Sequence, residues 1–208
     1  MSAGANAAQR LPSRVYPVVD SAAWVARLAG CGAQLIQLRV KHDDQSLLRR
    51  EIRCSRDACA RSGATLVVND HWRLAIEEEV DFVHLGQEDL DTADPLAIRV
   101  VGVRLGVSTH SDAELQRALA VMPDYIALGP IYPTTLKQMP FAPQGLARIG
   151  VWKQRIGTLP LVAIGGITLE RAQGCIAAGA DCVAAVSDIL SQPTPEARIR
   201  QWLALVAS

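Results

Sequence analysis

The feature that most constrains this chain is an alternation: eight short, β-rich apolar runs, each followed by a stretch with helical signals. The runs lie at residues 15–20, 34–40, 65–68, 82–85, 104–107, 125–128, 161–164 and 182–186. Most are continuously apolar, as strands are when both faces are buried. Eight strand–helix units within 208 residues predict an α/β fold, a single compact (β/α)8 TIM barrel with short strands and its active site at the C-terminal face. An open doubly wound sheet is the alternative; the first run lacks the Gly-rich dinucleotide loop that would favour it. Residues 14–208 read as one barrel domain and residues 1–13 as a flexible lead-in.

Helix boundaries carry their own punctuation. Residues 22–29 stop at Gly30 and residues 46–62 at Gly63, where a left-handed residue would end a helix. Ser111 and Glu114 have capping-box spacing. Thr168 precedes a helix that reaches about Ala178 and stops at Gly179. Thr194 and Pro195 open the last helix, in which Ile199, Trp202, Leu203 and Val206 line one stripe. After the fourth strand there is room only for a short helix near residues 95–99.

Half of the residues are hydrophobic, which argues against disorder. Lys plus Arg number 21 and Asp plus Glu 21, so bulk charge points to neither a nucleic-acid nor a membrane partner. An anionic ligand would have to be held by local charge. No apolar run approaches the ~20 residues of a membrane span. Residues 1–10 lack the apolar core of a secretory signal. The five cysteines, Cys31, Cys54, Cys59, Cys175 and Cys182, include no C-x-x-C pair. They read as small buried hydrophobes in a reducing, cytoplasmic compartment.

Polar residues gather where strands end, the face on which barrel enzymes build their sites. Alternation along an extended second strand would put Gln37, Arg39 and Lys41 on one face, the outer two about 13 Å apart at roughly 3.3 Å per residue. Two cations and an amide on an inward edge would be costly without a partner. A multiply charged anion such as pyrophosphate would satisfy them, and a salt-bridged barrel mouth without ligand is the alternative.

Asp70 and Asp89 follow adjacent strands. Two carboxylates beside a cationic edge suggest Mg²⁺ shared with substrate phosphates. The plainer reading of Asp70 is a helix cap. Glu88, Asp91, Asp43 and Asp44 read as solvated loop charges. Gly165-Gly166 would let backbone N–H groups approach a ligand, and with Val186-Ser187 it falls at the standard barrel phosphate site; a mere turn is the alternative. His84 reads as a hydrogen-bonded interior residue. There is no H-x-H, H-E-x-x-H or G-x-S-x-G spacing, so neither a zinc site nor an activated serine is expected.

A family resemblance rests on an ordered set of segments. They are Gln37-Leu38-Arg39-Val40-Lys41, Val67-Val68-Asn69-Asp70, His84-Leu85-Gly86-Gln87-Glu88-Asp89-Leu90 and Gly106-Val107-Ser108-Thr109-His110. The set continues with Asp124-Tyr125-Ile126-Ala127-Leu128-Gly129-Pro130-Ile131-Tyr132-Pro133-Thr134, Lys137-Gln138-Met139-Pro140 and Val162-Ala163-Ile164-Gly165-Gly166-Ile167. Over residues 16–190 the chain resembles the thiamine-phosphate synthase family. The resemblance implies a transferase that joins an aminopyrimidine pyrophosphate to a thiazole phosphate, or its carboxylated form, giving thiamine phosphate and pyrophosphate. It implies that Gln37, Leu38, Arg39, Val40, Lys41, Asn69, Ser108 and Lys137 hold the pyrimidine pyrophosphate, with Arg39, Lys41 and Lys137 acting in catalysis. It implies Mg²⁺ at Asp70 and Asp89, and the thiazole phosphate at Thr134, Thr135, Gly166, Val186 and Ser187. The partners implied are these small molecules, with a homo-oligomer left open.

The family loop usually reads Pro-Thr-x-Thr-Lys, whereas this chain has Pro133-Thr134-Thr135-Leu136-Lys137. A hydroxyl contact to the thiazole is therefore expected to be missing at Leu136, unless Thr135 or main chain replaces it. Three other readings compete. A thiazole tautomerase would have no use for the Arg39, Asp70, Asp89 and Lys137 set. A sugar-phosphate isomerase would want a poised base, and none stands out. A non-catalytic thiamine-precursor binding protein would keep the pocket without turnover.

Overall fold

The structure, a computed structural model, describes residues 10–134 and 142–207. Eight parallel strands close into a barrel in sequence order, β1 pairing with both β2 and β8. The strands are β1 Val15–Val19, β2 Leu35–Leu38, β3 Thr65–Asn69, β4 Phe82–Leu85, β5 Arg104–Thr109, β6 Tyr125–Leu128, β7 Leu161–Ala163 and β8 Cys182–Ala185. The helices are α1 Ala22–Gly30, α2 Gln45–Ser62, α3 Trp72–Glu77, α4 Pro95–Val100 and α5 Asp112–Ala120. They continue with α6 Gly145–Ile156, α7 Leu169–Ala177, α8 Ser187–Leu190 and α9 Pro195–Ala207. All eight expected strands form, and the closed order excludes an open sheet. Among the described residues no helix is long and apolar enough to cross a membrane.

Two cores explain the apolar runs. One lies between strands and helices and includes Leu28, Ile52, Ile98, Trp152, Ile199 and Trp202. The other fills the barrel and includes Tyr16, Leu35, Phe82, Tyr125, Val162 and Cys182. Leu11, from the expected lead-in, packs against this interior cluster. Residues 1–9 lie outside the described set, as does the side chain of Val206.

Some boundaries move for identifiable reasons. Gly30 belongs to α1, and the left-handed residue is Gly32, at φ 97°. Gly63 does end α2 as expected, at φ 71°. Asp44, read as a solvated loop charge, is the N-cap of α2 and accepts from the N–H groups of Ser46 and Leu47. Ser111 caps α5 through the Glu114 N–H, but Glu114 reaches back to the His110 N–H at 2.6 Å instead of to Ser111. Cys59, Cys175 and Cys182 are buried, whereas Cys31 is half-buried and Cys54 exposed. The N-terminal barrel face is less plain than its sequence suggests. There Asp124 and Asp181 accept from the N–H groups of Leu105 and Leu161, at 2.7 and 2.8 Å, and so close strand ends.

Candidate active site

The second strand is shorter than its sequence suggests. It ends at Leu38, and one further ladder bond runs from the Arg39 N–H to Val19 O at 2.7 Å. Alternation therefore does not extend to Lys41. Gln37 is buried, Arg39 and Val40 are half-buried and Lys41 is exposed. The expected inward edge of three polar groups becomes one buried amide followed by two cations climbing out of the barrel mouth.

Asp70 follows β3 in the left-handed region, at φ 65°. Its N–H donates to His84 O at 2.9 Å, and its carbonyl accepts from the Trp72 N–H at 2.8 Å. The residue at the N-cap of α3 is His71, so Asp70 is not that helix's cap. Its carboxyl meets Asp89 instead. Asp89 sits at the start of a 3₁₀ turn, Asp89–Asp91, where its Oδ2 accepts from the Gly86 N–H at 2.9 Å. A Cβ on Gly86 would stand 2.9 Å from that oxygen, so a glycine makes the approach possible.

Burial, the charge of Asp89 and the contact between the two carboxyls push Asp70 up to about 7, while Arg39 and Lys41 pull the other way. Four charged residues from the ends of β2, β3 and β4 thus feel one another. A carboxyl whose proton affinity is raised by burial beside a second acid is a good fit to a divalent cation. Among the described residues no group of three His, Cys, Asp or Glu side chains could enclose a metal. The pair therefore fits a cation such as Mg²⁺, which takes one or two carboxylates and completes its shell with phosphate oxygens and water. Beside the pair lies a cavity of about 410 Å³, lined in part by His42, Arg49, His71 and Trp72.

Below this cluster the barrel interior carries one polar layer. Asn69 and His84 are buried. His84 Nε2 lies 2.8 Å from Ser108 Oγ, and burial lowers the imidazole to about 4. His84 is thus the hydrogen-bonded interior residue that its strand position suggests. The Ser108 carbonyl accepts from Gln87 Nε2 at 2.6 Å. Tyr16 and Tyr125, which sequence reasoning did not single out, share this layer. Within apolar strands a tyrosine is indistinguishable from core.

The opposite side of the mouth is built from the loops after β6, β7 and β8. Ile131 N–H donates to Ile164 O at 2.9 Å and Tyr132 N–H to Gly165 O at 3.0 Å, which zips the first two loops together. Both glycines have positive φ, 100° at Gly165 and 63° at Gly166. A Cβ on Gly165 would stand 2.6 Å from the Pro130 Cα, and one on Gly166 2.3 Å from the Pro133 oxygen. The glycines are thus required by loop packing as well as by any ligand. Arg171 donates to Gly166 O at 2.7 Å and covers the Tyr132 ring. Val186 is the N-cap of α8 and Ser187 its first residue. There Asp188 accepts from the Leu169 N–H, from Arg198 and from Trp202 Nε1. Thr134 ends the described part of the β6 loop; Thr135, Leu136 and Lys137 lie outside the described residues.

Sequence comparison covers the whole of this barrel mouth. The thiamine monophosphate synthase family model matches residues 15–189. The chain belongs to that family. A thiamine-phosphate synthase of Rhizobium etli is 56% identical over 192 residues, covering 92% of this chain and 94% of its own. One from Neisseria meningitidis serogroup B is 50% identical over 196 residues, covering 93% and 95%. Among solved structures, a thiamine phosphate pyrophosphorylase from Pyrococcus furiosus superposes with a TM-score of 0.83. It is 22% identical, and the match covers 93% of this chain and 95% of that one, a likeness that speaks for the shared fold.

Proposed function

We propose that this protein is a thiamine-phosphate synthase, a transferase that couples 4-amino-2-methyl-5-(diphosphooxymethyl)pyrimidine to 4-methyl-5-(2-phosphooxyethyl)thiazole, or its carboxylated form. The products are thiamine phosphate and pyrophosphate, with CO₂ from the carboxylated substrate. The observation that carries the site assignment is the contact between Asp70 and Asp89, opposed by the charges of Arg39 and Lys41. Family membership over residues 15–189 supports the activity itself.

Mg²⁺, held by Asp70 and Asp89, would supply positive charge to the diphosphate oxygens. Arg39, Lys41 and Lys137 would neutralise the diphosphate as it leaves the pyrimidine CH₂ carbon. Gln37, Asn69 and Ser108 would orient the pyrimidine pyrophosphate, with Leu38 and Val40, whose side chains pack into the strand–helix core, offering it main chain only. Electron donation from the aminopyrimidine stabilises the cation left behind, and the thiazole nitrogen attacks that carbon. Thr134 and Thr135, with the main chain at Gly166, Val186 and Ser187, would position the thiazole phosphate. Such a dissociative path asks for preorganised charge and alignment and needs no strong base. That requirement matches a mouth rich in cations and carboxylates.

The direct test mixes purified protein with both substrates and Mg²⁺ and measures thiamine phosphate and pyrophosphate. Formation of both in equal amounts is expected, with strong loss when Mg²⁺ is omitted. Binding of both substrates without coupling would sink the reading.

A further inference from the structure

Five polar side chains cross the barrel in an unbroken line. Gln37 Nε2 donates to the Tyr16 hydroxyl at 3.0 Å, and that hydroxyl lies 3.0 Å from the Tyr125 hydroxyl. Tyr125 Oη lies 2.7 Å from His84 Nδ1, and His84 Nε2 lies 2.8 Å from Ser108 Oγ. The first four residues are buried, and Ser108, near the C-terminal end of β5, is half-buried. The line joins two residues assigned above to the pyrimidine pyrophosphate through three that have no role yet.

Counting protons gives the line a direction. A phenol has one proton to donate. Tyr16 already accepts from Gln37, so the acceptor for its own proton is Tyr125. Tyr125 in turn gives its proton to His84 Nδ1. A neutral imidazole that accepts at Nδ1 carries its proton on Nε2. That proton goes to Ser108, whose own hydroxyl proton is then the one left over. With the Gln37 amide turned so that Nε2 meets Tyr16, running the line the other way would make Tyr16 accept twice and leave its proton without an acceptor among the described residues.

We propose that Gln37, Tyr16, Tyr125, His84 and Ser108 form a one-way hydrogen-bond relay that fixes His84 as the Nε2–H tautomer and commits Ser108 to donating toward an anionic ligand at the barrel mouth. Tyr16, Tyr125 and His84 are positioning residues in this scheme. The chemistry is suited to a diphosphate, which only accepts: a serine that donated inward to His84 would present lone pairs to it, whereas this one offers a charge-assisted donor. The identity of the ligand rests on the function proposed above; the tautomer does not.

Nitrogen-15 NMR of the full-length protein labelled at its four histidines reads the tautomer directly. His84 is expected to show a protonated Nε2 and an unprotonated Nδ1, and Tyr125→Phe to abolish that preference. A protonated Nδ1 in the wild-type protein overturns the relay. Calorimetric titration with inorganic pyrophosphate and Mg²⁺ reads its effect on the ligand. Ser108→Ala and Tyr125→Phe should each weaken binding by about tenfold, and the double variant should be no weaker than Ser108→Ala alone. Additive losses would mean that Tyr125 does not act through Ser108, which also overturns the scheme. Absence of pyrophosphate binding by the wild-type protein would count against the proposed function, while the tautomer would still decide the relay.

Discussion

A Cβ on Gly106 would stand 2.1 Å from Cζ of Tyr125, because the two are register partners on β5 and β6 and the ring lies across the glycine. Gly106 is the notch through which Tyr125 reaches His84. Gly106→Ala should destabilise the fold by about 1–3 kcal/mol, the usual scale of overpacking, and push the ring away from the imidazole. Urea unfolding measures the first effect and the histidine spectrum the second.

Asp188 ties α8 to α7 and α9 through the Leu169 N–H, the Arg198 guanidinium and the Trp202 indole. Its side chain is 9% exposed and that of Arg198 17%. Asp188→Ala would leave the Arg198 cation with the exposed Glu170 and the neutral Gln201 oxygen, and the indole N–H with no acceptor among the described residues. A loss of about 1–3 kcal/mol is expected, the cost of leaving part-buried donors without their acceptor. Chemical denaturation of Asp188→Ala against Asp188→Asn, which keeps an acceptor, should show the alanine variant as the less stable.

The Asp70 carboxyl rises from 3.8 to about 7 on folding. Folding therefore favours its protonated form. The stabilisation this gives is fully present below the unfolded value and is lost as pH rises through the folded one. Metal-free protein should melt at a lower temperature at pH 8 than at pH 5.5, and Asp70→Asn should flatten that difference. Added Mg²⁺ should raise the melting temperature more at pH 8, where no proton has to be displaced. An equal Mg²⁺ effect at both pH values would remove Asp70 from the metal site.

Removing a charge that steadies the departing diphosphate should be costly. Asp70→Ala and Lys137→Ala should each lower turnover by about 10²-fold or more, the scale of losing one preorganised electrostatic contact. Near-normal steady-state rates in both variants would refute the roles assigned to them.

Leu136 stands where the family loop usually carries a second threonine. Restoring it with Leu136→Thr should lower the Michaelis constant for the thiazole phosphate and leave that for the pyrimidine pyrophosphate unchanged. Equal thiazole constants for the two proteins would show that Thr135 or the backbone already makes the contact.

The strands were readable because burial on both faces turns each into a short apolar run. The second is shorter than its apolar run, and nothing local marks the point after Leu38 where the chain leaves the ladder. Asp70 and Asp89 stood out because acids after consecutive strands are unusual in an otherwise apolar pattern. The relay could not be seen from sequence: Tyr16 and Tyr125 meet across 109 residues, and each looks like core in its own strand. Gly106 was hidden for the same reason, because its requirement comes from a neighbouring strand's side chain. Gly165-Gly166 was visible as a motif, but its packing against Pro130 and Pro133 was not.

That last interlock bears on how such enzymes can be recombined. With the missing Cβ atoms of Gly165 and Gly166 filled by Pro130 and Pro133, the two loops fit together like tongue and slot. A designer who transplants one substrate loop from a relative must carry its mate along, and chimaeras cut between them would inherit a collision however well each half suits its own ligand.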